Sequence, residues 1–180
     1  MRIITGSARG SKLETLEGES TRPTAEMAKE AIFSSLQFEI EGRRVLDLFA
    51  GSGQMGLEAL SRGAESALLA DNNPAAVDII KKNAKKTHLF EKCNIICTDY
   101  KDAIRGARGR GGFDIIFIDP PYASDFAVDA ADKLIAAELV NQYGVIVIET
   151  GNKLEYLPDG FKVRKSTKYG RAYVLILEKE

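Results

Sequence analysis

Val45-Leu46-Asp47-Leu48-Phe49-Ala50-Gly51-Ser52-Gly53-Gln54-Met55-Gly56 decides how this chain folds. Val45 to Phe49 read as a strand. Gly51, Gly53 and Gly56 follow in the G-x-G-x-x-G spacing, and a helical pattern runs from Gln54 to Arg62, with Gly63 placed to end it. Glycines here permit a tight turn and let a ligand approach the backbone closely. A strand, a glycine turn and a helix in this order are a unit of an α/β sheet.

Working outward, strand and helix patterns keep alternating. Ser66 to Ala70 reads as a strand and Pro74 to about Lys86 as a helix. Asn94 to Thr98 is a strand, followed by a short helix around Lys101 to Arg105. Phe113 to Ile118 and Gly144 to Ile148 are strands around a helix from Phe126 to Leu139. These strands are short, β-branched and apolar on both faces, the pattern of a parallel sheet covered by helices. Residues 161–168 and 171–178 flank Tyr169-Gly170 with no helix between them and read as a terminal antiparallel hairpin. Upstream, short stretches around Gly6 to Gly10 read as a small hairpin. Thr21-Arg22-Pro23-Thr24 then leads into a helix from Ala25 to about Leu36, with Pro23 suited to its start and Thr24 to a cap. The domain reading is therefore a hairpin extension over 1–20 and one α/β domain over 21–180.

The balance of 44% apolar and 28% charged residues in 180 is that of an ordinary globular domain. No apolar run approaches the roughly 20 residues that cross a bilayer, and Met1 to Gly6 lack the apolar core of a signal peptide. A cytoplasmic protein is the expectation. Cys93 and Cys97 fall on one face of a strand and read as reduced core thiols. His88, the single histidine, reads as a helix-end or surface residue. A zinc site needs four ligands, so no metal is expected. The formal net charge of −1 does not announce a nucleic-acid partner. Cations nonetheless cluster at Arg2, Arg9 and Lys12, at Lys101, Arg105, Arg108 and Arg110, and at Lys162, Arg164, Lys165, Lys168 and Arg171. Such patches attract phosphate, although solvated loops explain any one of them as well.

The second strand leads to Asp71, whose carboxylate can accept from both hydroxyls of a ribose. A glycine turn plus a ribose acid is shared by nicotinamide dinucleotides and S-adenosylmethionine. Asp47 favours the latter, since it would repel a pyrophosphate and attract a sulfonium and an ammonium. Asp99, after the third strand, can accept from the adenine amine. Acids at the carboxyl ends of consecutive strands line the crevice where open α/β sheets bind ligands. The candidate cofactor residues are Asp47, Phe49, Ala50, Gly51, Ser52, Gly53, Asp71, Asn72, Asp99, Tyr100 and Asp119.

Asp119-Pro120-Pro121-Tyr122 follows the fourth strand and is the most specific signal in the chain. The paired prolines fix the backbone and stop the ladder. An exocyclic base amine is a poor nucleophile because its lone pair is delocalised into the ring. Asp119 and the Pro120 carbonyl can each accept one of its N–H bonds and aim the lone pair at a methyl sulfonium, while Tyr122 stacks on the base. Positioning and charge placement then matter more than a strong base. A base inside a duplex cannot reach such a pocket, so the target is flipped out or unpaired. Methylation through ring carbon usually needs a nucleophilic cysteine, and Cys93 and Cys97 lie away from this loop.

With Arg2-Ile3-Ile4-Thr5-Gly6, Arg9-Gly10, Thr21 to Thr24, Val45 to Gly53, Gly56 to Gly63 and Asp119 to Tyr122 together, the chain resembles the RsmD-type methyltransferases over nearly its whole length. That resemblance implies a class I, Rossmann-like S-adenosylmethionine-dependent methyltransferase fold with a seven-stranded, mostly parallel sheet. It implies S-adenosylmethionine as donor and the N2 amine of a guanine in small-subunit (16S) ribosomal RNA as acceptor, in an assembling or assembled particle. It makes Asp119, Pro120, Pro121 and Tyr122 the catalytic loop. Arg2, Arg9, Lys12, Arg22, Thr24, Arg108 and Arg110 are the candidate RNA contacts. Asp71-Asn72-Asn73 departs from the family's usual acid followed by a charged pair. The low net charge suggests that proteins of the particle help docking.

Other readings make different demands. A methyltransferase for adenine N6 or cytosine N4, in DNA or other RNA, fits the Asp-Pro-Pro-Tyr chemistry equally, but this chain has no separate target-recognition domain. A nicotinamide oxidoreductase needs a His or Lys at a strand end, and none is seen. A non-catalytic module that kept the fold would not need an intact Asp119 and glycine turn.

Overall fold

The computed structural model describes residues 1–18, 23–121 and 125–180. Its elements are α1 (Pro23–Leu36), β1 (Arg44–Asp47), α2 (Gln54–Ser61), β2 (Ser66–Asp71), α3 (Pro74–Lys86), β3 (Cys93–Cys97), α4 (Tyr100–Ala107), β4 (Phe113–Ile118), α5 (Phe126–Ala136), β5 (Val140–Thr150), β6 (Phe161–Tyr169) and β7 (Ala172–Lys179). One seven-stranded sheet runs in the order β3-β2-β1-β4-β5-β7-β6. β1 to β5 are parallel, β7 is antiparallel to β5, and β6 is antiparallel to β7.

Side chains alternate between the faces of each strand, so each central strand feeds two cores. Val45 packs on the face covered by Ile32, Phe33, Leu57 and Ile80 from α1 to α3. Its neighbour Leu46 packs on the face covered by Ile104, Ala130 and Leu134 from α4 and α5. Burying a side chain of this size is worth about 1.5–3 kcal/mol. That two-sided burial is why the strands read as unbroken apolar runs. The crossover order starts at β1, whose carboxyl end carries the glycine turn.

Several boundaries differ from the sequence expectation, each for a local reason. α1 starts at Pro23, whose fixed φ suits a first helical turn. Thr24 therefore sits inside that turn and does not cap it. β5 begins at Val140, well before Gly144, across a register irregularity opposite Phe113 and Ile115. α5 stops at Ala136, where Leu139 N donates to Leu134 O and Glu138 takes φ 56°. β3 is an outer strand, so Cys97 is exposed and Cys93 half-buried. The expectation of two core thiols fails on that edge placement. Burial pushes the Cys93 thiol up to about 12. His88 is exposed just beyond α3.

The expected N-terminal hairpin closes through one antiparallel bridge, Arg2 to Lys12, and leans on α2 and α3. Fully buried Glu58 accepts from Ile4 N at 2.8 Å and Thr5 N at 3.0 Å, and pairs with Lys29 at 3.1 Å and Arg62 at 2.9 Å. Lys29 Nζ also donates to Arg2 O. Burial lowers the Lys29 pKa, while the Glu58 carboxylate pulls it back up. Gly6 comes so close to Ser61 that a Cβ there would lie 1.8 Å from the Ser61 carbonyl oxygen. Further along, Asn83 Oδ1 accepts from Glu14 N, and its Nδ2 donates to both Glu14 O and Ser52 O.

Candidate active site

The turn after β1 is built by backbone geometry that only some residues tolerate. Gly53 adopts φ 81° and donates to Ala50 O at 2.7 Å, which closes the turn and launches α2. A Cβ at Gly56 would sit 2.8 Å from Leu69, so this glycine lets α2 lie directly on β2. The three glycines thus split their work. Gly51 faces a cavity, whereas Gly53 and Gly56 serve the turn and the packing.

That cavity, of about 620 Å³, opens at the carboxyl ends of the parallel strands. Of the candidate cofactor residues, Asp47, Phe49, Ala50, Gly51, Ser52, Asp71, Asn72, Asp99, Tyr100 and Asp119 all line it, and Gly53 does not. Pro121 lines it as well, which places the Asp-Pro-Pro segment beside the glycine turn; Pro120 is buried next to it. Tyr122 and Arg22 lie outside the described residues. The sequence reading missed Leu16, Gln54 and Phe126, which also line the cavity. Phe126 had a signal: it is a large apolar residue at the start of α5 that stays 45% exposed. Leu16 had none, since the Glu14–Asn83 bonds bring it there from a distant part of the chain.

Three of these acids, Asp47, Asp71 and Asp99, accept hydrogen bonds from the backbone. Asp47 Oδ2 accepts from Gly56 N at 3.1 Å inside the protein, where it is 2% exposed. Burial pushes its carboxyl up to about 7, the Gly56 N–H opposes this, and the charge of Asp71 adds to it. A carboxylate so deprived of water is stabilised by a cation in the cavity. Asp71 accepts from Gly51 N at 2.8 Å and Asn73 N at 2.9 Å, one on each oxygen, and each oxygen retains a lone pair for a hydroxyl. Asp99 caps α4 by accepting from Asp102 N at 2.9 Å. Phe49, Tyr100 and Phe126 form a row of rings, with centroids 5.4 and 5.5 Å apart, along one wall. Tyr100 Oη donates to Asp129 at 2.6 Å, which fixes the middle ring. Glycine turn, apolar wall and graded acids suit an adenosine carrying a charged amino-acid tail.

The cavity continues outward. Gln54, Met55 and Asp119 also line a smaller cavity of about 100 Å³, together with Ala25, Lys29 and Glu149. Ala25 and Glu149 in turn border a third cavity of about 610 Å³, walled by Thr24, Gly170 and Arg171. These form a trough from the glycine turn, past Asp119, to the turn between β6 and β7. Of the candidate RNA residues among the described ones, only Thr24 stands on it. Arg110 lies at the amino ends of the strands, where its carbonyl accepts from Arg44, and Arg108 is close by in sequence. Arg2, Arg9 and Lys12 are exposed on the N-terminal segment, and Ala8 beside Arg9 is tied to Ser61 at the last turn of α2. The structure gathers the candidate cofactor residues other than Gly53 around one cavity and spreads the described basic ones. Among the described residues no helix is long and apolar enough to cross a membrane.

The chain is similar to known methyltransferases in both sequence and shape. A family model described as "Conserved hypothetical protein 95" matches residues 1–178. The chain is 38% identical to "Putative rRNA methyltransferase YlbH" of Bacillus subtilis, over 99% of both chains. It is 33% identical to "Ribosomal RNA small subunit methyltransferase D" of Haemophilus influenzae, over 83% of this chain and 78% of that one. Its fold is similar to the solved structure titled "Putative methyltransferase yhhF from Escherichia coli", with a TM-score of 0.87, 28% identity, and 100% and 98% of the two chains covered. It is also similar to the Thermus thermophilus 16S rRNA N2 G1207 methyltransferase solved with AdoMet and guanosine. There the TM-score is 0.70 and the identity 26%, over 92% of this chain and 45% of that one. The sheet is thus that of the class I methyltransferases, and the chain belongs to the RsmD-type family.

Proposed function

We propose that this protein transfers a methyl group from S-adenosylmethionine to the N2 amine of a guanine in small-subunit ribosomal RNA. One observation carries the reading: Asp119 and Pro121 line the same cavity as Gly51, Asp47 and Asp71. The names of the relatives support ribosomal RNA as the substrate class.

Asp71 would hold the ribose hydroxyls, Asp99 the adenine amine, and Asp47 the ammonium of the amino-acid tail. Phe49, Tyr100 and Phe126 would cover the flat ring. When bound, the cofactor supplies an electrophilic methyl on a sulfonium. The chain's own contribution is placement. Asp119 and the Pro120 carbonyl accept the two N–H bonds of the target amine, which turns its lone pair toward the cofactor side. The negative charge of Asp119 stabilises the positive charge that develops on the amine. The extra proton then leaves to Asp119 or water. Tyr122 is proposed to stack on the base, and the trough past Thr24 and Arg171 would receive the flanking nucleotide. Arg2, Arg9, Lys12, Arg22, Arg108 and Arg110 would meet phosphates of a particle large enough to wrap the molecule, with residues 1–20 acting as an RNA-contacting extension.

The test is methyl transfer from labelled S-adenosylmethionine to small subunits from cells lacking this protein and, in parallel, to DNA, followed by nucleotide mapping. Label in N2-methylguanine is expected. Label confined to DNA, or to adenine or cytosine, refutes the reading.

A further inference from the structure

Gln54, the first residue of α2, stands where the cofactor cavity meets the smaller one, and it lines both together with Met55 and Asp119. Its side-chain Oε1 is buried and has no hydrogen-bond partner. Leaving a buried acceptor unpaired costs roughly 1–3 kcal/mol. The side chains at this junction offer a carboxylate, an amide and a thioether. What Gln54 Oε1 lacks is a donor. A methyl acceptor has to occupy this junction, because it must reach the cofactor on one side and the exterior on the other.

We propose that the Gln54 side-chain carbonyl accepts the ring N1–H of the target guanine while Asp119 holds its exocyclic amine. This deepens the methyl-transfer reading above and rests on it. Among the amine-bearing bases, only guanine carries a hydrogen on a ring nitrogen beside the amine. Adenine N1 and cytosine N3 present a lone pair there and would meet the oxygen with repulsion. The terminal amide torsion is broad, and no hydrogen bond holds Oε1, so it turns onto the base without breaking one. Offering the amide nitrogen to adenine instead would leave Oε1 unpaired. Gln54 is thus a specificity determinant, and the selectivity follows from an acceptor that only one base can satisfy.

The test compares wild type, Gln54→Met and Gln54→Glu for methylation of unmethylated small subunits, with S-adenosylhomocysteine binding measured by calorimetry. Met keeps the length and removes the hydrogen bond; Glu keeps an acceptor. The Met variant is expected to bind S-adenosylhomocysteine within twofold of wild type and to lose about 10- to 100-fold in kcat/KM for the subunits. The Glu variant should stay at least fivefold above Met. A Met variant as active as wild type, equal losses in both variants, or a loss matched by weaker S-adenosylhomocysteine binding overturns the role of Gln54 and leaves the methyl-transfer reading intact. A wild-type enzyme that puts no label in guanine overturns that reading first, and the role of Gln54 with it.

Discussion

Asp47 reaches from the end of β1 to the backbone of Gly56, its Oδ2 accepting that N–H at 3.1 Å within the protein interior. The acid thereby ties the cofactor turn to the helix behind it, at the cost of burying a carboxylate.

That cost sets a pH dependence. The Asp47 carboxyl is pushed from 3.8 to about 7 by burial. Between those values the folded chain holds a proton that the unfolded chain has lost, so this group weakens the cofactor-free fold as pH rises through that window, by at most ~4 kcal/mol. Binding an ammonium needs the ionised form. Affinity for S-adenosylhomocysteine should therefore fall as pH drops below about 7, by up to tenfold per unit. Asp47→Asn keeps the bond from Gly56, so it should raise the melting temperature of the free protein at pH 8 while weakening binding more than tenfold. Calorimetric titrations between pH 6 and 8.5 and melting curves check both halves; a pH-independent affinity contradicts the ammonium contact.

Asp119→Ala removes one acceptor from the target amine. Turnover is expected to drop by about 10²–10³-fold, with S-adenosylhomocysteine affinity within about threefold of wild type. Single-turnover methylation and a binding titration separate the two, and unchanged turnover removes Asp119 from the mechanism.

Glu58 balances Lys29, which is buried with it. Glu58→Gln strips the charge and should cost about 3–5 kcal/mol in urea unfolding. Combining it with Lys29→Met should recover part of that loss, because no buried ammonium then remains unpaired. A double variant as unstable as the sum of the single ones shows that the pair is not coupled.

The dispersed cations are expected to act through phosphate. Neutralising Arg9, Arg22 and Arg108 together should weaken RNA binding uniformly and reduce the slope of log affinity against log salt by about 2–3. Filter binding from 50 to 300 mM salt measures it, and an identical slope means that none of the three touches a phosphate.

The glycine turn and the sheet were legible because two-sided burial writes a continuous apolar pattern, and because Gly53 and Asp119 mark strand ends by residue type alone. That Asp47, Asp71 and Asp99 would line the crevice was legible for the same reason, although their backbone bonds to Gly56, Gly51 and Asp102 were not. What escaped depends on contacts distant in sequence. Nothing near Leu16 shows that Asn83 will draw its segment to the cavity, nothing near Glu58 that it will hold Ile4 and Thr5, and nothing in Cys97 that its strand ends up outermost. Gln54 escaped because a polar residue at a helix start is unremarkable until its oxygen is seen buried and unpaired.

The sheet ends in two unequal rims. β6 carries Lys162, Arg164, Lys165 and Lys168 along its length, and cations on an outer strand repel the addition of another chain. β3 at the opposite rim reads Cys-Asn-Ile-Ile-Cys, with no charge and an exposed thiol. Any self-association of concentrated protein is therefore expected to begin along β3, and light scattering of the Asn94→Lys variant under reducing agent, compared with wild type, checks it.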